Sequence, residues 1–272
     1  MFRVFELYEG DSPLHRMNPV VKLVVTAVSL IGLTLVFDPY VPLALLIVVV
    51  ACARAAGVPV GAMLRGLVPF GALALGFFWM QVAFPRGDPT GYTLLAHVGP
   101  VPLYRETLLR GLALGLRVLC YAAYGLLFVA TTDPTRLVLS LIQNAGLSPR
   151  FGYSLLAAYR FFPLYQSELR TLRMAHQVRG VEEGAGVRGG LARLRRYAIP
   201  LLAGAVRRAE RVAVAMESRG FAGRRERTYY LRVEIRPQDL ALALAYLLVP
   251  LAVVAAARFL GVLEVWDGSL YF

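Results

Sequence analysis

Lysine is almost absent from this chain: Lys22 stands alone against 28 arginines. A Walker-type phosphate loop needs a lysine between its second glycine and a Ser or Thr, and Lys22 lies in no such run. The chain is therefore not expected to hydrolyse ATP itself. Cysteine is nearly as scarce. Cys52 and Cys120 both fall in apolar runs, which excludes a disulfide framework and leaves two small apolar side chains. His15, His97 and His176 are scattered over separate segments. With no close grouping of His, Cys, Asp and Glu, no metal site is expected. Acidic residues are almost missing from the apolar runs, which argues against a membrane enzyme acting on a lipid or isoprenoid through clustered carboxylates. Residues 1–19 carry Glu6, Glu9, Asp11, Arg16 and two prolines. They lack the apolar stretch of a secretory signal, so the first apolar run is expected to direct insertion.

Apolar residues are plentiful. The chain is 58% hydrophobic with a mean hydropathy of +0.59. Five runs of 16–19 residues stand out: Val20–Phe37, Val41–Ala56, Leu67–Phe84, Leu112–Ala130 and Leu240–Ala257. About 20 apolar residues cross the hydrocarbon of a bilayer as a helix, so flanking residues are expected to extend each run. Arg54 lies inside the second run and must reach toward an interface. Arg117 lies inside the fourth, where a structural role, snorkelling or pairing with Glu106 or Asp38, is favoured.

Charge is concentrated elsewhere. Residues 150–236 hold 18 of the 29 basic and 7 of the 17 acidic residues, a net +11, whereas the other 185 residues together are +1. By the positive-inside rule this segment and the N-terminus are expected to be cytoplasmic, with Arg54 and Arg65 on the same side and the 85–106 loop outside.

Two long amphipathic helices are expected in the basic segment. The first, 154–179, carries Leu155, Tyr159, Phe162, Tyr165, Leu169 and Leu172 at helical steps. Pro163 should kink or split it. The second, 191–219, carries Leu202, Ala205, Ala209, Val212 and Met216 on one face. Val181–Gly190, with four glycines, is expected to be a flexible link. Ahead of them, Thr131-Thr132-Asp133-Pro134 offers a cap and a first-turn proline for a short helix ending near Asn144; Asp133 reads as a cap rather than a catalyst. Each long helix suits the membrane interface or another protein's surface.

Both helices end in Ala-x-x-x-Arg-Gly: Ala175, Arg179 and Gly180 in the first, Ala215, Arg219 and Gly220 in the second, 40 residues apart. Ala and Arg four apart share a face, and Gly is the natural residue to close a helix. Arg can pair bidentately with a carboxylate. Set side by side, the two ends would make a bivalent cationic plug. Six Arg-Gly dipeptides occur in the chain, and Arg in a last turn also complements the helix dipole, so the helical context carries the signal.

In their order and spacing these elements resemble the transmembrane coupling component of energy-coupling factor transporters, the EcfT and CbiQ family. The similar stretches are Ser12–Pro19 with Lys22; Arg105-Glu106, Arg110-Gly111 and Arg117; Thr131–Pro134; Ala158–Pro163 with Arg160 and Pro163; and the two Arg-Gly ends. The family's motif is commonly Ala-Arg-Gly. Here Val178 and Ser218 precede the arginines, which leaves open the role of that position. The resemblance implies an all-α polytopic membrane protein, with about five transmembrane helices and a cytoplasmic domain of coupling helices. It implies partners: two ATP-binding-cassette ATPases that bind the ATP and Mg, and a substrate-binding S component for a vitamin or metal ion. It implies that Arg179 and Arg219 pair with acidic residues of the ATPases, that Ala175, Gly180, Ala215 and Gly220 permit the close fit, and that the apolar stripes cradle the S component. No cofactor is expected in this chain. The expected division is 1–130 as a four-helix membrane domain, 131–236 as the coupling domain, and 237–272 as a last span and tail.

Other readings fare worse. A permease with its own substrate path would need several polar residues in the spans, where Arg117 and Gln81 are nearly alone. A membrane-tethered nucleic-acid binder is compatible with the arginines, but continuous apolar stripes favour protein contacts, so no nucleic-acid partner is expected.

Overall fold

The computed structural model describes residues 10, 12–36, 38–84, 93–98, 101–181, 186–223 and 228–259. The elements run α1 (Pro13–Arg16), α2 (Pro19–Thr34), α3 (Tyr40–Ala55), α4 (Val60–Ala83), β1 (Leu94–Val98), β2 (Val101–Tyr104), α5 (Arg105–Ala130), α6 (Pro134–Asn144), α7 (Pro149–Val178), α8 (Gly186–Ser218) and α9 (Pro237–Phe259). The chain divides into two compact units, Met1–Ser140 with Val233–Phe272, and Leu141–Arg232.

The first unit is a membrane-embedded bundle, and the chain is an all-α polytopic membrane protein. α4, α5 and α9 are long and apolar enough to cross a membrane; α2 and α3 are apolar but have 16 residues each. Sixteen residues rise about 24 Å, short of a hydrocarbon core of about 30 Å. α4 and α5 each begin seven residues before the apolar run that marks them. Helical hydrogen bonding continues through the polar interfacial turn holding Arg65 in one and Arg105, Glu106 and Arg110 in the other, where hydropathy is blind.

α5 is the centre of this unit. It buries Ala113, Arg117, Cys120, Ala123, Tyr124 and Leu127, among others. One core joins it to Val49 and Ala53 of α3 and to Met63 and Leu67 of α4. Another joins Cys120 to Leu33, Val41, Leu45 and Ala257. Gly111 and Gly115 make the approach of α4 possible: a Cβ at Gly111 would stand 3.0 Å from the Phe78 carbonyl oxygen, and one at Gly115 3.2 Å from that of Ala74. Small residues four apart serve the same end in other membrane helix pairs, where packing replaces the hydrophobic drive.

The 85–106 loop holds the one sheet among the described residues, the antiparallel pair β1 and β2. Its Pro and Gly content reads as a turn-rich loop, and neither Leu94–Val98 nor Val101–Tyr104 shows the apolar-polar alternation that marks a strand. Glu106 serves this hairpin rather than Arg117: its carboxylate accepts the Thr93 backbone N–H at 3.0 Å and the Thr93 hydroxyl at 2.5 Å. Arg117, 8% exposed, donates through Nη2 to the Val36 carbonyl just beyond α2. Arg54 falls in the last turn of α3 and is exposed, as an interfacial arginine should be.

Candidate functional site

The second unit is built on α7 and α8. Ser148 caps α7, accepting the Phe151 N–H, and Pro149 takes its first turn. α7 then runs unbroken to Val178, so Pro163 does not split it. Proline withholds one N–H from the Tyr159 carbonyl; both residues are exposed, and water can satisfy that oxygen. α8 similarly runs through Pro200. It begins at Gly186, so part of the expected glycine link is helical; residues 182–185 lie outside the described residues.

The contacts between the two helices fix their direction. His176 meets Tyr197 edge-on, with ring centroids 5.6 Å apart. Glu168 pairs with Arg208. Tyr153 meets Phe221, just beyond α8, at 5.6 Å. As numbers fall along α7 they rise along α8, so the pair is antiparallel. Arg208 is the central rivet: its guanidinium lies 5.3 Å from the Tyr165 ring centroid and 5.7 Å from that of Phe161. The Glu168 carboxylate and Tyr165 raise the pKa of that guanidinium above its ordinary value. Between the helices lies an apolar cleft of about 560 Å³ with Tyr153, Ala157, Phe161, Ala205, Ala209 and Met216 in its walls. The expected stripe of α7 meets α8 only in part. Its Tyr165 lines the cleft, its Leu155, Tyr159 and Phe162 stand exposed, and Tyr153, Ala157 and Phe161, outside the stripe, also face α8. On α8, Ala205, Ala209, Val212 and Met216 do line the cleft, whereas Leu202 is exposed.

The two Arg-Gly ends close in the same way. At the first, the Gly180 N–H donates to the Gln177 carbonyl at 3.0 Å and the Val181 N–H to that of His176 at 3.1 Å. At the second, Gly220 donates to Glu217 at 2.9 Å and Phe221 to Met216 at 3.0 Å. This pair of bonds is the Schellman motif, which needs a left-handed residue after the cap; Gly180 and Gly220 supply it with φ of +67° and +77°. The match extends to exposure: residues 171–180 and 211–220 repeat the same pattern position by position, with Ala175, Arg179, Ala215 and Arg219 all exposed.

The two ends do not sit side by side and so form no single bivalent plug. Antiparallel packing puts Arg219 level with the first turns of α7 and Arg179 level with the 190s of α8. About 24 residues of helix separate those levels, about 36 Å at 1.5 Å per residue. A sequence repeat reports likeness of the ends and is silent about the direction of the helices that carry them.

The remaining candidates fall elsewhere. Arg160 is exposed on α7. Asp133 caps α6, its two carboxylate oxygens accepting the N–H groups of Thr135 at 3.1 Å and Arg136 at 3.2 Å. Thr132 is buried and belongs to a polar knot in the first unit. There Lys22, 4% exposed, donates to the Leu14 carbonyl at 2.9 Å, the Thr131 carbonyl at 3.1 Å and the Thr132 hydroxyl at 3.1 Å. Beside it, Asn18 accepts the Ser140 hydroxyl at 2.8 Å and caps α2 through the Val20 N–H at 3.0 Å. The Asn18 backbone N–H donates to Asp239 at 3.1 Å, across 221 residues of sequence. Lys22 and Asn18 were visible in the sequence only as parts of a family-like stretch. Asp239 carried no signal there, because the link is made entirely by long-range contacts. Among the described residues no three of His, Cys, Asp and Glu cluster as metal ligands.

Comparison with known proteins agrees with this architecture. Residues 10–230 match the CbiQ family, described as cobalt transport protein. The chain is 26% identical over 255 residues to the energy-coupling factor transporter transmembrane protein EcfT of Lactococcus lactis, covering 90% of this chain and 94% of that one. It is 29% identical over 258 residues to EcfT of Limosilactobacillus fermentum, covering 92% and 95%. It is 30% identical over 257 residues to EcfT of Heliobacterium modesticaldum, covering 86% and 90%. A bundle of apolar helices, a basic unit of two long helices and a match running through both place this chain in the CbiQ and EcfT family, the transmembrane components of energy-coupling factor transporters.

Proposed function

We propose that this chain is the non-catalytic coupling subunit of an importer. It passes ATP-driven motion of two ATP-binding-cassette ATPases to a separate S component that binds a vitamin, another micronutrient or a metal ion. ATP and Mg belong to the ATPases. The observation that carries the proposal is the pair of matched Arg-Gly ends, exposed and at opposite ends of one antiparallel helix pair. Two grips about 36 Å apart suit two separate ATPase subunits, one grip each. Arg179 and Arg219 each pair with a carboxylate in a groove, and Ala175 and Ala215, one turn earlier, let the groove wall approach. Gly180 and Gly220 turn the chain away. The exposed apolar residues Leu155, Tyr159 and Phe162 of α7 are offered to the S component.

The membrane-spanning unit anchors the assembly, with the N-terminus and the Leu141–Arg232 unit in the cytoplasm, where the ATPases are. The orientation is checked by thiol labelling of intact cells carrying a single cysteine at Ser167: protection from an impermeant reagent supports it, and labelling reverses it. The coupling role is tested by purifying the chain in mild detergent after coexpression with the ATPases of its host. Wild type is expected to retain them and the Arg179→Ala/Arg219→Ala chain to lose them. Equal retention moves the docking site to another part of the basic unit.

A further inference from the structure

Beyond its closing glycine the second Arg-Gly end is tied to a neighbouring helix. Beyond Gly220 the chain passes through Phe221, Ala222 and Gly223, and the first turns of α7 take hold of it. Arg150 Nη2 donates to the Ala222 carbonyl at 3.2 Å. The Tyr153 and Phe221 rings meet edge-on at 80°. Gly223 has φ of +67°, and a Cβ built on it would collide with Nε and Cγ of Arg150. The Arg150 side chain is thus laid across a left-handed backbone position where any Cβ would displace it. None of this is required to close α8, since the Schellman bonds to Glu217 and Met216 already do so.

We infer that Arg150, seated on Gly223, is a positioning residue for the second grip, fixing the exit of 221–223 and through it the direction in which Arg219 projects. The inference rests on the reading of Arg179 and Arg219 as ATPase contacts. Helix ends fray, and Arg219 is the cap residue itself, so its guanidinium swings with every opening of the last turn. Tying residues 221–223 to a neighbouring helix removes that freedom before the partner arrives, and restricting an unbound ensemble strengthens binding without adding a contact. Arg150 suits the task because its stem covers the glycine while its head reaches the preceding carbonyl, that of Ala222.

The test measures capture of the ATPases by the full chain in detergent, with each grip isolated in turn. In the Arg179→Ala chain only the second grip remains, and adding Arg150→Ala is expected to lower capture about fivefold or more. Arg150→Lys, which keeps the stem and one donor, should recover part of that loss, and Gly223→Ala, which displaces the Arg150 side chain, should reproduce it. In the Arg219→Ala chain only the first grip remains, and Arg150→Ala should change capture less than about twofold. Equal losses in the two backgrounds would make Arg150 a general support of the unit and overturn the inference. No loss in either would overturn it too. If instead neither Arg179→Ala nor Arg219→Ala weakens capture, the reading of these two arginines as ATPase contacts falls, whatever Arg150 does. The melting midpoint of each purified chain separates loss of positioning from loss of fold.

Discussion

In the unit formed by Met1–Ser140 and Val233–Phe272, two key cations point inward. Lys22 and Arg117 are both buried, and each is held by backbone carbonyls: Leu14 and Thr131 for the one, Val36 for the other. In the Leu141–Arg232 unit, Arg160, Arg179 and Arg219 all stand on the surface. A buried cation cannot remain without partners, because taking it out of water costs more than a few hydrogen bonds return. An exposed one is free to wait for a carboxylate from another protein. Cationic side chains thus brace the interior of the membrane unit and stand on the surface of the basic unit. Position, rather than residue type, separates the two uses.

Substitutions can break this contrast. The largest effects are expected at the exposed arginines and only in the assembly. Arg179→Ala and Arg219→Ala should each weaken ATPase capture by about 30-fold or more, with the melting of the isolated chain unmoved. A lowered melting midpoint would show that these arginines support the fold and erase the distinction between the units. The buried lysine should behave in the opposite way. Lys22→Met leaves the Leu14 and Thr131 carbonyls without their donor and is expected to cost about 3 kcal/mol of stability, read as a lower melting temperature in detergent. A chain melting like wild type would mean that the knot is idle. Asn18→Ala removes the α2 cap and the Ser140 bond, an expected loss of about 2 kcal/mol by the same measurement. The smallest effect is at the closing glycines. Gly180→Ala and Gly220→Ala force a left-handed alanine into open space, which costs about 1 kcal/mol. Helix content of the two variants should therefore stay close to wild type while the ends lose definition. A large drop in circular dichroism at 222 nm would show that the caps hold whole helices.

Much of this was legible in the sequence, and what was not has physical causes. Apolar runs located the bundle helices because the hydrocarbon imposes a length and a composition. The same criterion misplaced the starts of α4 and α5, since a helix does not stop where water begins. Ala-x-x-x-Arg-Gly announced both helix ends because a Schellman turn needs a glycine at one position, a local demand written in local sequence. The direction of packing depends on contacts such as Glu168 with Arg208 and His176 with Tyr197, which only the fold brings together. The face of α7 that meets α8 was read only in part for a related reason. Its stripe of large residues looked like a packing face, but apart from Tyr165 the residues that meet the neighbour, Tyr153, Ala157 and Phe161, lie off that stripe. Lys22 and Asn18 lie in a recognisable stretch, yet their partners at 131, 132, 140 and 239 are visible only once the chain has closed on itself.

The antiparallel pair also has a mechanical character. It is a strut with a handle at each end, riveted near its middle by Arg208. α-Helices resist shortening, because every residue of compression must strain backbone hydrogen bonds along the whole length. Two bodies that hold the handles and draw together therefore cannot compress the strut. They can only turn it, or make its two members scissor about the rivet. Linear motion outside the membrane unit would leave this strut as rotation, and the angle would be set by the length of the pair rather than by the strength of either grip.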